Sequence, residues 1–253
     1  MLYPKNISVI ILSYNRPNNI KKCINYLLNI NIIDEIIISH GSMEYYVNFQ
    51  NIFNNYKIKD IIDIDNNNKY KCGRRFLNII HAKNDIILFL DDDLIPSYNL
   101  INEMYKSLLQ NYNRNTIYGP FRRYIKKDKY YSYSDKIKRY YNQKTKKRYL
   151  FLLKNNRHQI VLPGLSLIKK TTVFMYLKYY FPYYSDWLIK YKGNCEDIAF
   201  NLFIIYFLKE KPVYINTFDW KQFHSDESYS SQDNHYKIRE LFLLKYNNKY
   251  LLE

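Results

Sequence analysis

The run Ile86-Ile87-Leu88-Phe89-Leu90-Asp91-Asp92-Asp93 constrains this chain more than any other stretch. Its five consecutive apolar residues suit a strand buried on both faces and are too few for a typical helix. That strand delivers three adjacent carboxylates to one edge of a sheet. Adjacent carboxylates repel one another and cannot all be buried unpaired, so they need a cation or many donors. A hard divalent ion, held by carboxylate oxygens and completed by substrate phosphates, is a natural neutraliser. Three Asp alone fit a solvated acidic turn equally well, and the surrounding chain decides between the two.

Upstream, Ile7 to Leu12 reads as a first strand ended by Ser13-Tyr14-Asn15-Arg16-Pro17. Pro17 suits the first turn of a helix that carries Ile20, Cys23, Ile24, Leu27 and Leu28 at helical spacing. A second buried strand, Ile36-Ile37-Ile38, ends in His40-Gly41-Ser42. A helix near residues 46–53, a short strand near 61–64 and a helix near 73–81 lead to the acidic strand. Strands alternating with helices predict an α/β fold, a single Rossmann-like domain whose mostly parallel central sheet has helices on both faces. Ligands of such sheets bind beyond the carboxyl ends of the strands. That edge gathers Tyr14, Asn15, Arg16, His40 and Asp91 to Asp93. Arg74 and Arg75, expected at the start of the helix before the acidic strand, favour a phosphate there, with Asn78 on the face of Arg74. The plainer reading of the Arg pair is a solvated surface.

Past Pro96 a helix from Tyr98 to about Tyr112 buries Ile101, Met104, Tyr105, Leu108 and Leu109, and a strand at 117–121 is broken by Gly119-Pro120. From Arg122 to Lys154 the chain turns to Lys, Arg and Tyr with few aliphatics, which suits a solvated insertion, a lid, or an acceptor or polyanion surface. Ile160 to Ser166 resumes buried structure, where Gly164 allows a close backbone approach. After a helix at 171–180, Glu196 and Asp197 open an apolar helix. Acids in a first turn commonly complement the helix dipole, but in this chain a catalytic role competes with that reading. A strand at 213–215, a polar stretch at 223–234 and a helix at 235–246 finish the chain. Residues 1–96 are thus expected to form a nucleotide-binding half, and 97–253 an acceptor and catalytic half.

The 253 residues suffice for one sizeable core, burying about 75% of the unfolded surface. A net charge of +16 predicts attraction to phosphates and leaves nucleotide, nucleic acid and peripheral association with an anionic membrane open. Thirty Tyr, with abundant Asn, Ile and Lys, are what AT-rich codons encode, so residue numbers alone argue weakly. Cys23, Cys72 and Cys195 show no paired metal-ligand spacing and suit a reducing compartment. Met1 to Ser8 lacks a hydrophobic signal region and no apolar run approaches about 18 residues, which predicts a soluble, cytoplasmic protein.

Together these segments resemble the GT-A glycosyltransferases, in particular the exostosin family, glycosyltransferase family 64. The matching stretches keep one order along nearly the whole chain: Leu12 to Arg16, Leu90 to Asp93, Tyr118 to Arg123, Leu162 to Ser166, Asn194 to Asn201, and His235 with Arg239. The resemblance implies transfer of an N-acetylhexosamine or related sugar from a UDP donor to a glycan or other acceptor, with Mn²⁺ or Mg²⁺ and retention at the anomeric carbon. It makes Asp93 the main metal ligand with Asp91. It gives Asp91 and Asp92 to the ribose and donor sugar, Arg16 and Arg75 to the nucleotide, and Asp197 with Arg239, beside Glu196, to the reacting centre. Pro163 and Ser166 depart from the family pattern of small residues, as does Phe242 where secreted relatives have a cysteine for Cys195.

Three rival readings stand beside this one. An inverting GT-A enzyme of the family 2 type shares the donor-binding features. A sugar-nucleotide pyrophosphorylase needs a glycine-rich loop after its first strand, and Ser13 to Pro17 has no Gly. A nucleic-acid or anionic-surface binder would explain the charge but not the acids at strand ends; no nucleic acid is expected as a partner.

Overall fold

The computed structural model describes residues 6–126, 131–132, 157–223 and 234–246. The first half alternates as the apolar runs predict. Strand β1 (Ile7–Ser13) leads into helix α1 (Pro17–Leu27), then β2 (Ile33–His40), a short α2 (Phe49–Phe53), β3 (Ile58–Ile62), α3 (Ile64–Tyr70), a one-turn α4 (Arg74–Leu77) and β4 (Ile86–Asp91). There follow β5 (Leu94–Pro96), α5 (Tyr98–Gln110), β6 (Ile117–Gly119), β7 (Arg122–Lys126), β8 (Tyr131–Ser132), β9 (Arg157–Val161), β10 (Leu165–Lys169), α6 (Lys170–Tyr179) and α7 (Phe181–Lys190). The remainder is α8 (Glu196–Leu202), β11 (Val213–Tyr214), β12 (Trp220–Gln222) and α9 (His235–Tyr246).

Seven strands form the central sheet in the order β11-β6-β10-β4-β1-β2-β3. The pairs β1–β2, β1–β4, β2–β3 and β6–β11 are parallel, and β10 alone runs antiparallel between β4 and β6. Alternate residues of each strand feed opposite cores, as the two-residue period requires. Val9, Ile11, Ile36, Ile38, Leu88 and Leu90 pack beneath α1 and α5, while Ile10, Ile37, Ile87 and Phe89 face α6, α7 and α8. The central strands are therefore apolar on both faces, and their carboxyl ends are where polar residues appear.

Several expectations shift. The third strand comes earlier than 61–64, and Ile64 already opens α3. The helix expected at 73–81 is a contiguous run of 3₁₀ and α turns from Lys71 to His81, helical in φ and ψ at each junction, and Lys71, at a positive φ of 45°, separates it from α3. The helix expected at 46–53 begins only at Phe49, where the Asn48 side chain accepts from Asn51 N at 2.9 Å as a cap. Arg122 to Lys126, expected to open an aliphatic-poor insertion, forms β7, which pairs along its length with β9 and buries Ile125. Residues 127–130 and 133–154 of that segment lie outside the described residues, as do 224–233 of the polar stretch near the end. The three cysteines are free. No helix among the described residues is long and apolar enough to cross a membrane.

Candidate active site

The carboxyl ends of β1 and β4 open on a cleft of about 760 Å³. Register places Leu12 beside Asp91 and Ser13 beside His40, so the three chain ends turn out together. Asp91 N donates to Gly164 O at 2.7 Å, and a Cβ on Gly164 would lie 2.1 Å from Asp91 Oδ2. Only glycine lets β10 start this close to the acidic end of β4. The turn that carries it is fixed by the Ser166 hydroxyl, which donates to Pro163 O at 3.2 Å.

Two arginines share the three carboxylates. Arg16 at the start of α1 donates to Asp92 Oδ1 at 2.9 Å and stands 3.9 Å from Asp93 Oδ2; Arg75 Nη2 donates to Asp91 Oδ1 at 2.9 Å. Burial pushes the Asp92 carboxyl up to about 6, against the pull of Arg16. Burial, reinforced by Asp91, also raises Asp93. Asp93 has the weakest compensation of the three: the distant Arg16 and a long contact of 3.4 Å from Gln222 Nε2. Gln222 reaches it because β12 pairs antiparallel with β5, immediately after the acids.

Arg75 is 3% exposed, and its Nη1 has no hydrogen-bond partner among the described residues although the residue lines the cleft. Arg74 behaves differently. Its Nη2 donates to Ser13 O at 2.9 Å and Ser39 O at 3.0 Å, tying β1 to β2, and burial lowers its pKa to about 10. Gly41 makes room for it, since a Cβ there would lie 2.4 Å from Arg74 Nη1. His40 points away from the cleft lining: it is buried, bonded through Nε2 to Asp60 Oδ1 at 2.7 Å, and stacked on Phe49. Tyr14 and Asn15 line the cleft.

The opposite wall is the start of α8. Cys195 takes a left-handed φ of 80°, which turns the chain so that Glu196 and Asp197 both line the cleft. Arg239 Nη1 on α9 donates to both oxygens of Asp197 at 2.8 and 2.9 Å, and its Nε to His235 Nε2 at 2.9 Å. Burial and the neighbouring Arg239 lower His235 to about 4, which keeps it a neutral acceptor. Glu196 lies beside the turn at Gly73. Burial first, then Asp197, pushes its carboxyl up to about 7. The helix end is locked from behind by Asn201, whose Nδ2 donates to Val161 O and Asp197 O.

The sequence profile of the glycosyl transferase family 64 domain matches residues 7–250. The chain belongs to that family. No curated protein matches it. The cleft, with its two walls of carboxylates, is thus the candidate active site of a glycosyltransferase, an enzyme that takes a sugar donor and an acceptor.

Among the described residues of this glycosyltransferase, no three His, Cys, Asp or Glu side chains form a closed metal cage. Asp93 and the free oxygen of Asp91 offer a hard ion two oxygen donors, so the donor set suits Mn²⁺ or Mg²⁺ completed by oxygens of a substrate. The glycosyltransferase also lines its cleft with Asn67, Lys71, Arg123, Lys192 and Gln222, which the sequence did not single out. Asn67 could have been suspected from its place before the Arg pair. Gln222 and Lys192 arrive from distant elements and carry no local signal. His235 is foreshadowed by the family resemblance, which pairs it with Arg239 four residues on along one helix face.

Proposed function

We propose that the enzyme transfers a sugar, by its exostosin likeness an N-acetylhexosamine, from a UDP donor to a glycan or other acceptor, with a GT-A fold, a divalent ion and retention at the anomeric carbon. The carrying observation is the Nη1 of buried Arg75, which has no hydrogen-bond partner among the described residues while its Nη2 donates to Asp91, the first of the three strand-end carboxylates. A buried guanidinium nitrogen without a partner calls for an anion. An anion beside Asp91 to Asp93 calls in turn for a cation between them. A nucleoside diphosphate with its metal meets both demands.

In this reading Arg75 and Arg16 hold the diphosphate, and Asp91 and Asp92 orient the ribose and donor sugar beside Gly164. Tyr14 and Asn15 face the nucleotide from the end of β1. A metal at Asp93 and Asp91 would offset the charge that builds on the leaving diphosphate. Asp197 faces the anomeric carbon and stabilises the positive charge developing there. Arg239 grips both its oxygens and fixes their direction, as a preorganised site requires. Calorimetric titration of UDP should give a dissociation constant at least about tenfold lower with Mn²⁺ than with chelator; equal affinity in both would overturn the donor assignment.

One observation favours inversion instead. A carboxyl lifted to about 7, as in Glu196, suits a general base that takes a proton from an acceptor hydroxyl. The anomeric configuration of the product, read by proton NMR before it equilibrates, decides between the two.

A further inference from the structure

Phe218 is 73% exposed, yet the residue on either side of it is anchored. The Thr217 hydroxyl bonds to Glu103 on α5, and Ser97 N donates to Asp219 O at 2.9 Å. A large apolar ring held out in water by a fixed backbone gives up the burial that would favour folding, so its position needs another reason. Its neighbours supply one. Trp220 and Gln222, two apart in β12, share a face, and Phe218 lies beyond Trp220 in ring contact with it. Gln222 sits in the cleft against Asp93. The Trp220 ring lies 5.8 Å from Phe218, tilted by 39°, and meets Phe121 edge-on at 4.8 Å, while Phe121 itself lines the cleft. The three therefore form a row running outward from the acidic end of β4, with about 7 Å per two-residue step in β12, about the length of one sugar ring.

We infer that Phe218 and Trp220 form an acceptor subsite that stacks a pyranose ring of the glycan next to the one being modified. The chemistry matches: one face of a pyranose presents C–H hydrogens, which pack on the negative face of an aromatic ring. Binding sites of this kind combine aromatic walls with a few polar groups, and Gln222 together with Arg123 provides those at the inner end of the row. The inference rests on the proposed sugar acceptor. It adds where the acceptor lies, and it makes Phe218 a binding residue without a part in the bond-breaking step.

The test is a printed glycan array probed with the parent protein, Phe218→Ala and Phe218→Tyr, with and without UDP and Mn²⁺. Melting temperature checks the fold, and UDP titration checks the donor site. Glycans retained by the parent should lose about tenfold in apparent affinity with Phe218→Ala and keep it with Phe218→Tyr, at unchanged UDP affinity. Equal retention by the parent and Phe218→Ala overturns the inference, as does an array on which the parent retains nothing while binding UDP. Failure of the parent to bind UDP strikes the donor reading, and the ratio of retention between parent and Phe218→Ala still judges the subsite. The protein's two tryptophans give a second readout, since Trp187 is buried and Trp220 only half-buried. A retained oligosaccharide should change the parent's fluorescence, and Trp220→Phe should abolish that change. A change that survives the substitution also counts against the subsite.

Discussion

At the end of β4 three carboxylates share two guanidinium groups, whereas at the start of α8 Arg239 grips both oxygens of Asp197 through Nη1, with its Nε on His235, and Glu196 has no such fork among the described residues. Both acid clusters face one cleft, and the difference shows in where the uncompensated charge goes. On the strand it falls to Asp93, at the rim, where solvent or an ion can reach it. On the helix it falls to Glu196, buried against Gly73, where a proton is the available neutraliser and the pKa rises to about 7. The strand cluster is therefore suited to recruiting a metal. The helix cluster divides its labour between a fixed anion, Asp197, and a titrating group.

The hardest blow to this division is aimed at Asp197. Asp197→Asn should lower turnover by about three orders of magnitude with UDP affinity nearly intact, the pattern of an interaction made mainly in the transition state. It also leaves Arg239 buried beside a neutral amide, so unfolding free energy should fall by roughly 3 kcal/mol. Turnover is measured well below the melting temperature. A rate within a few-fold of the parent would show that the ion pair is only a brace between α8 and α9.

The next largest effect falls on the strand. Asp93→Asn should abolish the gain in UDP affinity from Mn²⁺, about a hundredfold, while the melting temperature of the metal-free protein stays level or rises as like-charge repulsion declines. Mn²⁺-enhanced binding that persists in the variant would move the metal site away from the β4 acids. Arg75→Gln should cost about tenfold in UDP affinity with or without metal, because it removes the guanidinium fork and leaves Asp91 uncompensated. A variant that loses affinity only with Mn²⁺ present would make Arg75 a support for the carboxylates and not a phosphate ligand.

The sheet was legible because a strand buried on both faces must be apolar throughout, as the unbroken hydrophobic runs Ile36 to Ile38 and Ile86 to Leu90 are. The direction of β10 was not legible, since nothing in Leu165 to Lys169 differs between parallel and antiparallel pairing. The helix at Ile64 to Tyr70 was not expected, for a related reason. It has almost no apolar period, and is held instead by side chains reaching backbone, Asn67 to Gly41 O and Arg74 to Ser13 O and Ser39 O. The same chemistry separates the Arg pair: adjacent in sequence and alike in charge, one ties strands together while the other faces the acids. His40 had the right strand end but belongs to a buried pair with Asp60. The site was readable where charge accumulates in one stretch, as at Asp91 to Asp93 and Glu196-Asp197. It was not readable where single residues such as Gln222 come in from remote segments.

The smallest expected effect tests the titrating half of the comparison. Glu196 has a folded pKa near 7 against an ordinary value of 4.5, so the folded protein keeps a proton that the unfolded chain releases. Between about pH 4.5 and 7 the native state therefore binds more protons, and raising the pH removes stability across that window. Above that window the penalty is complete. Glu196→Gln carries no such penalty. Its melting temperature should match the parent below pH 4.5 and exceed it by several degrees at pH 8, since about 1 kcal/mol moves a chain of this size by 2–4 °C. Glu196 is not among the groups that shift Asp92 or His235, so the difference curve reports the Glu196 site together with its interaction with Asp197. A flat difference from pH 4.5 to 8 would mean that Glu196 is ionised as an ordinary carboxylate, and the contrast between the clusters would fail. Turnover reads the same variant from the other side. Under retention Glu196→Gln should cost only a few-fold at pH 7, because Asp197 faces the sugar; a loss as deep as that of Asp197→Asn would pass the leading role to Glu196 as the base of an inverting enzyme.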